Sequence, residues 1–120
     1  MFCGALLGAV GVCTGAFGAH ALADVLTPRG AEVWDTAVFY HLIHALALVL
    51  TGQVIRAGGE SRVISVAGWA FALGIVLFSG SLYALALNGP AILGPVTPVG
   101  GLCFIAGWLA LAAASWHRVN

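Results

Sequence analysis

Lysine is absent from this chain, and only eight of its 120 side chains carry a formal charge: Arg29, Arg56, Arg62 and Arg118 against Asp24, Glu32, Asp35 and Glu60. Net charge is zero, and with no basic run there is no electrostatic footprint for nucleic acid. The three cysteines, Cys3, Cys13 and Cys103, share no C-x-x-C spacing and lie in apolar stretches. They read as small apolar fillers, with no disulfide or zinc framework. Nucleophile elbows, phosphate loops and H-E-x-x-H motifs are missing too. No nucleophile, base and orienting group can be named, so the reading is of a protein that is not an enzyme, and no metal or cofactor is assigned.

What fills the chain is apolar. Hydrophobic residues make up 62% and charged residues 7%, outside the range of a soluble domain of this length. The charges sit outside or at the ends of four apolar segments, with helices expected at about 2–22, 28–55, 63–87 and 98–116. Each is near the ~20 residues that cross a ~30 Å hydrocarbon core. The expected fold is all-α: a polytopic membrane protein with four transmembrane helices in an antiparallel bundle, one domain over 1–120. Ala21-Leu22-Ala23 resembles a signal cleavage site, but the run before it lacks a basic n-region and is too rich in glycine. It is expected to span.

Glycines in the first segment, Gly4, Gly8, Gly11, Gly15 and Gly18, are spaced 4, 3, 4, 3 and so share one helix side. In water each would cost roughly 1 kcal/mol against alanine. In lipid the backbone has no alternative partners, and the glycines become a flat track for a neighbour. Ala5, Ala9, Ala16 and His20 lie roughly opposite, with Leu6, Val10 and Phe17 between. This helix is expected to be the central post. Gly100, Cys103, Gly107, Ala110 and Ala114 repeat the track in the fourth segment.

Thr27-Pro28 reads as an N-cap followed by proline at the first helical position. The second helix therefore starts at Pro28, with Glu32 and Asp35 in its early turns and Trp34 at headgroup level. Thr97-Pro98-Val99-Gly100 echoes Thr27-Pro28-Arg29-Gly30 and is expected to open helix four in the same way, consistent with two hairpins of similar build. Trp116 and His117-Arg118 read as interfacial anchors, Trp69 and Trp108 as packing or lipid contacts. Arg56, Arg62 and Arg118 fall on one side of the membrane and Arg29 alone on the other, so the positive-inside rule places both termini in the cytoplasm.

Polar residues gather at similar depth: His20 on the first helix, Tyr40, His41 and His44 on the second, and Ser79, Ser81 and Tyr83 on the third. His41 and His44 are three apart and Tyr40 and His44 four apart, so neighbours share a helix face. Four readings stand. The groups brace the bundle by interhelical hydrogen bonds of about 0.6 to 2 kcal/mol each; they line a small-molecule, lipid or quinone pocket; His20 with His41 or His44 ligates a metal or haem; or the histidines relay protons, although no Asp or Glu lies within a span to continue a relay.

Four motifs in order, Gly15-Ala-Phe-Gly-Ala-His-Ala-Leu22, Tyr40-His-Leu-Ile-His-Ala-Leu-Ala-Leu48, Phe78-Ser-Gly-Ser-Leu-Tyr83 and Thr97-Pro-Val-Gly-Gly101, resemble the YgdD/YwdK-like family of small bacterial inner-membrane proteins of unknown function, which has eukaryotic relatives. The resemblance implies a four-helix inner-membrane protein and marks His20, Tyr40, His44, Ser79, Ser81 and Tyr83 as signature positions; it implies no reaction. The expected role is structural or accessory, packing against itself or a larger membrane complex in the lipid bilayer, since the glycine tracks exceed what four short helices need for one another. The other reading is a small carrier or ligand-binding protein using the polar cluster.

Overall fold

Long runs of Leu, Val, Ala and Phe, broken only at Pro28, Ser61 and the proline-bearing stretch 88–98, fold into helices wherever the backbone has no water to bond. The structure, a computed structural model, describes residues 1–119, with side chains through Trp116; the expected anchor His117-Arg118 lies outside the described side chains. Helix α1 covers Phe2–His20, α2 Pro28–Gly58 and α3 Arg62–Gly74. A π-helical turn, Ile75–Ser79, joins α3 to α4, Gly80–Ala86. After a 3-10 turn at Ala91–Leu93, α5 runs Val96–Val119. The described residues contain no strand. Four stretches, Phe2–His20, Pro28–Gly58, Arg62–Ala86 and Ala91–Trp116, are long and apolar enough to cross a membrane.

The helix ends follow from local chemistry. Thr27 Oγ1 accepts the Gly30 N–H at 3.0 Å, with Pro28 in the first turn. Ser61 Oγ does the same for Ile64 N–H at 3.3 Å and starts α3. Asn88, with φ of 60°, is the one non-glycine residue of positive φ among those described. It wraps the end of the third span so that Gly89 N–H reaches the Ala84 carbonyl at 2.8 Å. The expected echo at helix four fails: α5 begins at Val96, and Thr97 turns its hydroxyl to the Leu93 carbonyl and to Ser81 instead of capping.

Packing corrects the place of the first helix. α1 packs chiefly on α2; α2 also packs on α3, the π turn and α4; and α5 packs on α3 and the π turn. The assembly is a flattened bundle, 53 × 26 × 17 Å, with α2 and the third span inside and α1 at an edge. The reason is that α1 has one close-fitting side only. A Cβ on Gly4 would lie 2.8 Å from the Val49 backbone nitrogen, and one on Gly11 2.7 Å from Leu42 Cδ2; Gly15 faces Val38 and Gly18 the Trp34 indole. Gly8 meets nothing within 4 Å. Ala5, Ala9, Ala16, Leu6, Val10 and Phe17 are all exposed.

The second track is filled internally as well. Gly107 lies under the Phe71 ring, 2.6 Å from a would-be Cβ, and Gly100 under the Leu77–Phe78 backbone. The expectation that the glycine tracks exceed the needs of four helices is therefore overturned: all but Gly8 seat a neighbour within the chain. The main core lies between α2, the third span and α5, around Ala45, Ala47, Ala67, Phe71, Ile75 and Phe104. A smaller one joins Leu22, Trp34 and Ala86.

Candidate functional site

The seven polar candidates do not form one cluster; they sort into separate contacts, and the π turn sorts them. A turn that closes i to i+5 hydrogen bonds inserts extra backbone and shifts the register of the residues after it. Ser79, inside it, points at α2, where its hydroxyl donates to the Ala37 carbonyl at 2.8 Å with no solvent exposure. Ser81 points at α5: its Oγ lies 2.6 Å from Thr97 Oγ1 and donates to the Phe78 carbonyl at 2.9 Å. Tyr83 points between α1 and α2.

Around Tyr83 a polar clasp ties three helices. Its Oη lies 3.0 Å from Thr14 Oγ1 on α1 and 3.1 Å from His41 Nδ1 on α2. Thr14 Oγ1 also donates to the Gly11 carbonyl at 3.0 Å. The Trp34 indole N–H donates to the Thr14 carbonyl at 3.0 Å, and its ring lies 4.7 Å from that of Tyr83. Trp34 is buried, because the Gly18 surface admits the indole between α1 and α2. Neutral His41, Tyr83 and Thr14 supply three protons to three contacts, all filled when Nδ1–H donates to Tyr83 Oη, Oη–H to Thr14 Oγ1 and the Thr14 hydroxyl to the Gly11 carbonyl. His41 Nε2 is then the buried side-chain atom without a partner among the described residues.

His44, 4% exposed, belongs to a second group facing α5. Its Nδ1 lies 2.7 Å from the Tyr40 carbonyl, and Trp108 Nε1 lies 3.2 Å from its Nε2. An indole N–H only donates, so Nε2 accepts and Nδ1–H donates to Tyr40. Both ring nitrogens of neutral His44 are thereby taken. The imidazole stacks on Phe104, centroids 3.5 Å apart and planes within 8°. Tyr40 is near-parallel to both rings, at 9° and 17°, and Trp108 meets Phe71 edge-on. Trp108 thus packs, as its depth in the helix suggested.

His20 is exposed at the end of α1 and joins neither group. His20 is thus not brought to His44, whose nitrogens are both occupied, and among the described residues no three His, Cys, Asp or Glu are placed to hold a metal ion. Four participants escaped the reading of the sequence. Thr14 lies three residues from Gly11 and four from Gly18 on the glycine side, a position that marked it as facing α2. Trp34, Thr97 and Phe104 carried no such signal.

A family described as a protein of unknown function, DUF423, matches residues 14–101. The chain belongs to the DUF423 family. That stretch holds all of the Tyr83 clasp's side chains; Phe104 and Trp108 lie beyond it. Among relatives of this DUF423 chain, "UPF0382 membrane protein SH2409" of Staphylococcus haemolyticus is 48% identical over 117 residues, 98% of this chain and 94% of the relative. "UPF0382 membrane protein YwdK" of Bacillus subtilis is 40% identical over 112 residues, covering 93% and 91%. The family resemblance read from the four motifs holds. No solved structure matches the chain.

Proposed function

We propose that this four-span membrane protein of the DUF423 family is a structural or accessory component of the bacterial inner membrane, with both termini in the cytoplasm. The observation that carries this reading is the engagement of the polar candidates: apart from exposed His20 and the Tyr40 hydroxyl, each hydrogen-bonds across or along the helices. Interhelical bonds of this kind fix register in lipid.

The uncovered side of α1 supports assembly with a second copy or a larger complex, since small residues there let another helix approach closely. Cys13 is exposed on that helix. Oxidative cross-linking in native membranes is expected to give a dimer through Cys13 that Cys13→Ser abolishes. A reactive thiol with no cross-linked species of any size would overturn the assembly reading.

A further inference from the structure

Between α2 and α5 lies an apolar cleft of about 620 Å³ whose walls include Tyr40, His44, Phe78, Gly101, Phe104 and Trp108. Its rim residues Phe39, Ile43, Leu102 and Ile105 are exposed, so the cleft opens sideways towards lipid. We infer that this cleft binds an isoprenoid quinone: a neutral, flat, carbonyl-bearing ring on an apolar tail.

Four features of the cleft select that chemistry. No charged side chain lines it, so nothing recognises a lipid phosphate or a free carboxylate, and the occupied part of the ligand is uncharged. The near-parallel rings of Tyr40, His44 and Phe104 favour a flat aromatic or quinonoid face over a flexible chain. The His44 nitrogens are both engaged, whereas the half-exposed Tyr40 bonds through its carbonyl and leaves its hydroxyl unpaired. That hydroxyl donates to a ring carbonyl. The volume exceeds one ring and continues to the lipid-exposed rim, the exit for a tail. This site goes beyond the packing role and stands or falls apart from it.

The test uses the full-length protein carrying Trp69→Phe and Trp116→Phe, both at lipid-exposed positions, in quinone-free phosphatidylcholine nanodiscs. The probe is a decyl-substituted benzoquinone, read by quenching of the Trp108 share of the fluorescence, taken as the difference from Trp108→Phe, which leaves buried Trp34 as the one indole. Expected is saturable quenching, lost in Trp108→Phe and not displaced by decane-length alkyl chains without a ring. Tyr40→Phe weakens binding about five-fold, the loss of one hydrogen bond. Gly101→Leu abolishes it: a Cβ there sits 3.8 Å from the Phe78 ring, an ordinary contact, so the side chain fills the cleft without forcing the helices apart. If that variant folds poorly, Ile105→Phe at the rim narrows the same space without adding an indole. Quenching that stays linear with probe, or persists unchanged in a folded cleft-filling variant, overturns the site; equal displacement by a ringless alkyl chain overturns the quinone.

Discussion

At His44 geometry assigns each ring nitrogen its role. Trp108 can only donate to it and the Tyr40 carbonyl can only accept from it, so each nitrogen has one role. Replacing His44 with Leu leaves the indole N–H unpaired and removes the stack on Phe104; the expected loss is about 1–3 kcal/mol. Asn is expected to be milder than Leu, since its amide still offers an acceptor. Adding Trp108→Phe to His44→Leu removes the orphaned donor, so the double variant is expected to lose less than the sum of the singles, by at least about 0.5 kcal/mol. Thermal unfolding of the four proteins in detergent measures the coupling, and strict additivity would show that the indole bond contributes nothing. At the other clasp, Tyr83→Phe removes the contacts to Thr14 and His41 together. It is expected to lower stability by about 1 kcal/mol, and Thr14→Val in that background adds little.

At the scale of elements, spacing was informative and continuity was not. The 3–4 spacing of Gly4, Gly11, Gly15 and Gly18 marks the side of α1 that meets α2, and the structure seats all four there. Gly8 obeys the same spacing yet meets open space, so periodicity cannot say which small residue is in contact. The prediction that separates them is direct. Gly8→Ala is expected to be neutral or slightly stabilising, as helix propensity favours alanine, and Val10→Leu neutral on its exposed face. Gly11→Leu is expected to part α1 from α2 and lower both folded yield and melting temperature. Equal loss at Gly8 and Gly11 in a detergent melt would refute the face. The π turn at Ile75–Ser79 left no mark in the pattern, because an inserted residue changes register without changing composition. Yet that turn is what aims Ser79, Ser81 and Tyr83 at different helices.

For the whole molecule, topology and shape are separate questions. Four spans put the Arg56 to Arg62 turn and both chain ends on one side, and arginine placement alone argues that this side is cytoplasmic. A reporter fused after Asn120 is expected to read cytoplasmic, and one inserted between Asn88 and Pro98 exported; the reverse pattern would overturn the orientation. Shape followed from pair packing: α2 carries α1 on one side and the third span on another, which flattens the bundle and leaves α1 at the edge. Deleting the lateral contact, as in Gly11→Leu, is therefore expected to free α1 while the core around Phe71 and Phe104 stays folded, visible as protease sensitivity confined to the first 27 residues.

The sequence by itself determined the class and the spans, because hydropathy and the need to satisfy every backbone group in lipid leave helices as the one solution for these segments. It also determined the start of α2 at Thr27-Pro28, a local hydrogen bond that needs no tertiary partner, and the glycine side of α1. Only the tertiary structure decided which helix is central, since a track of small residues fits any close neighbour equally well. It also decided the division of the histidines, since His41 and His44 lie three positions apart, some 60° around the helix from each other at 3.6 residues per turn. That offset turns one ring towards Tyr83 and α1 and the other towards Trp108 and α5.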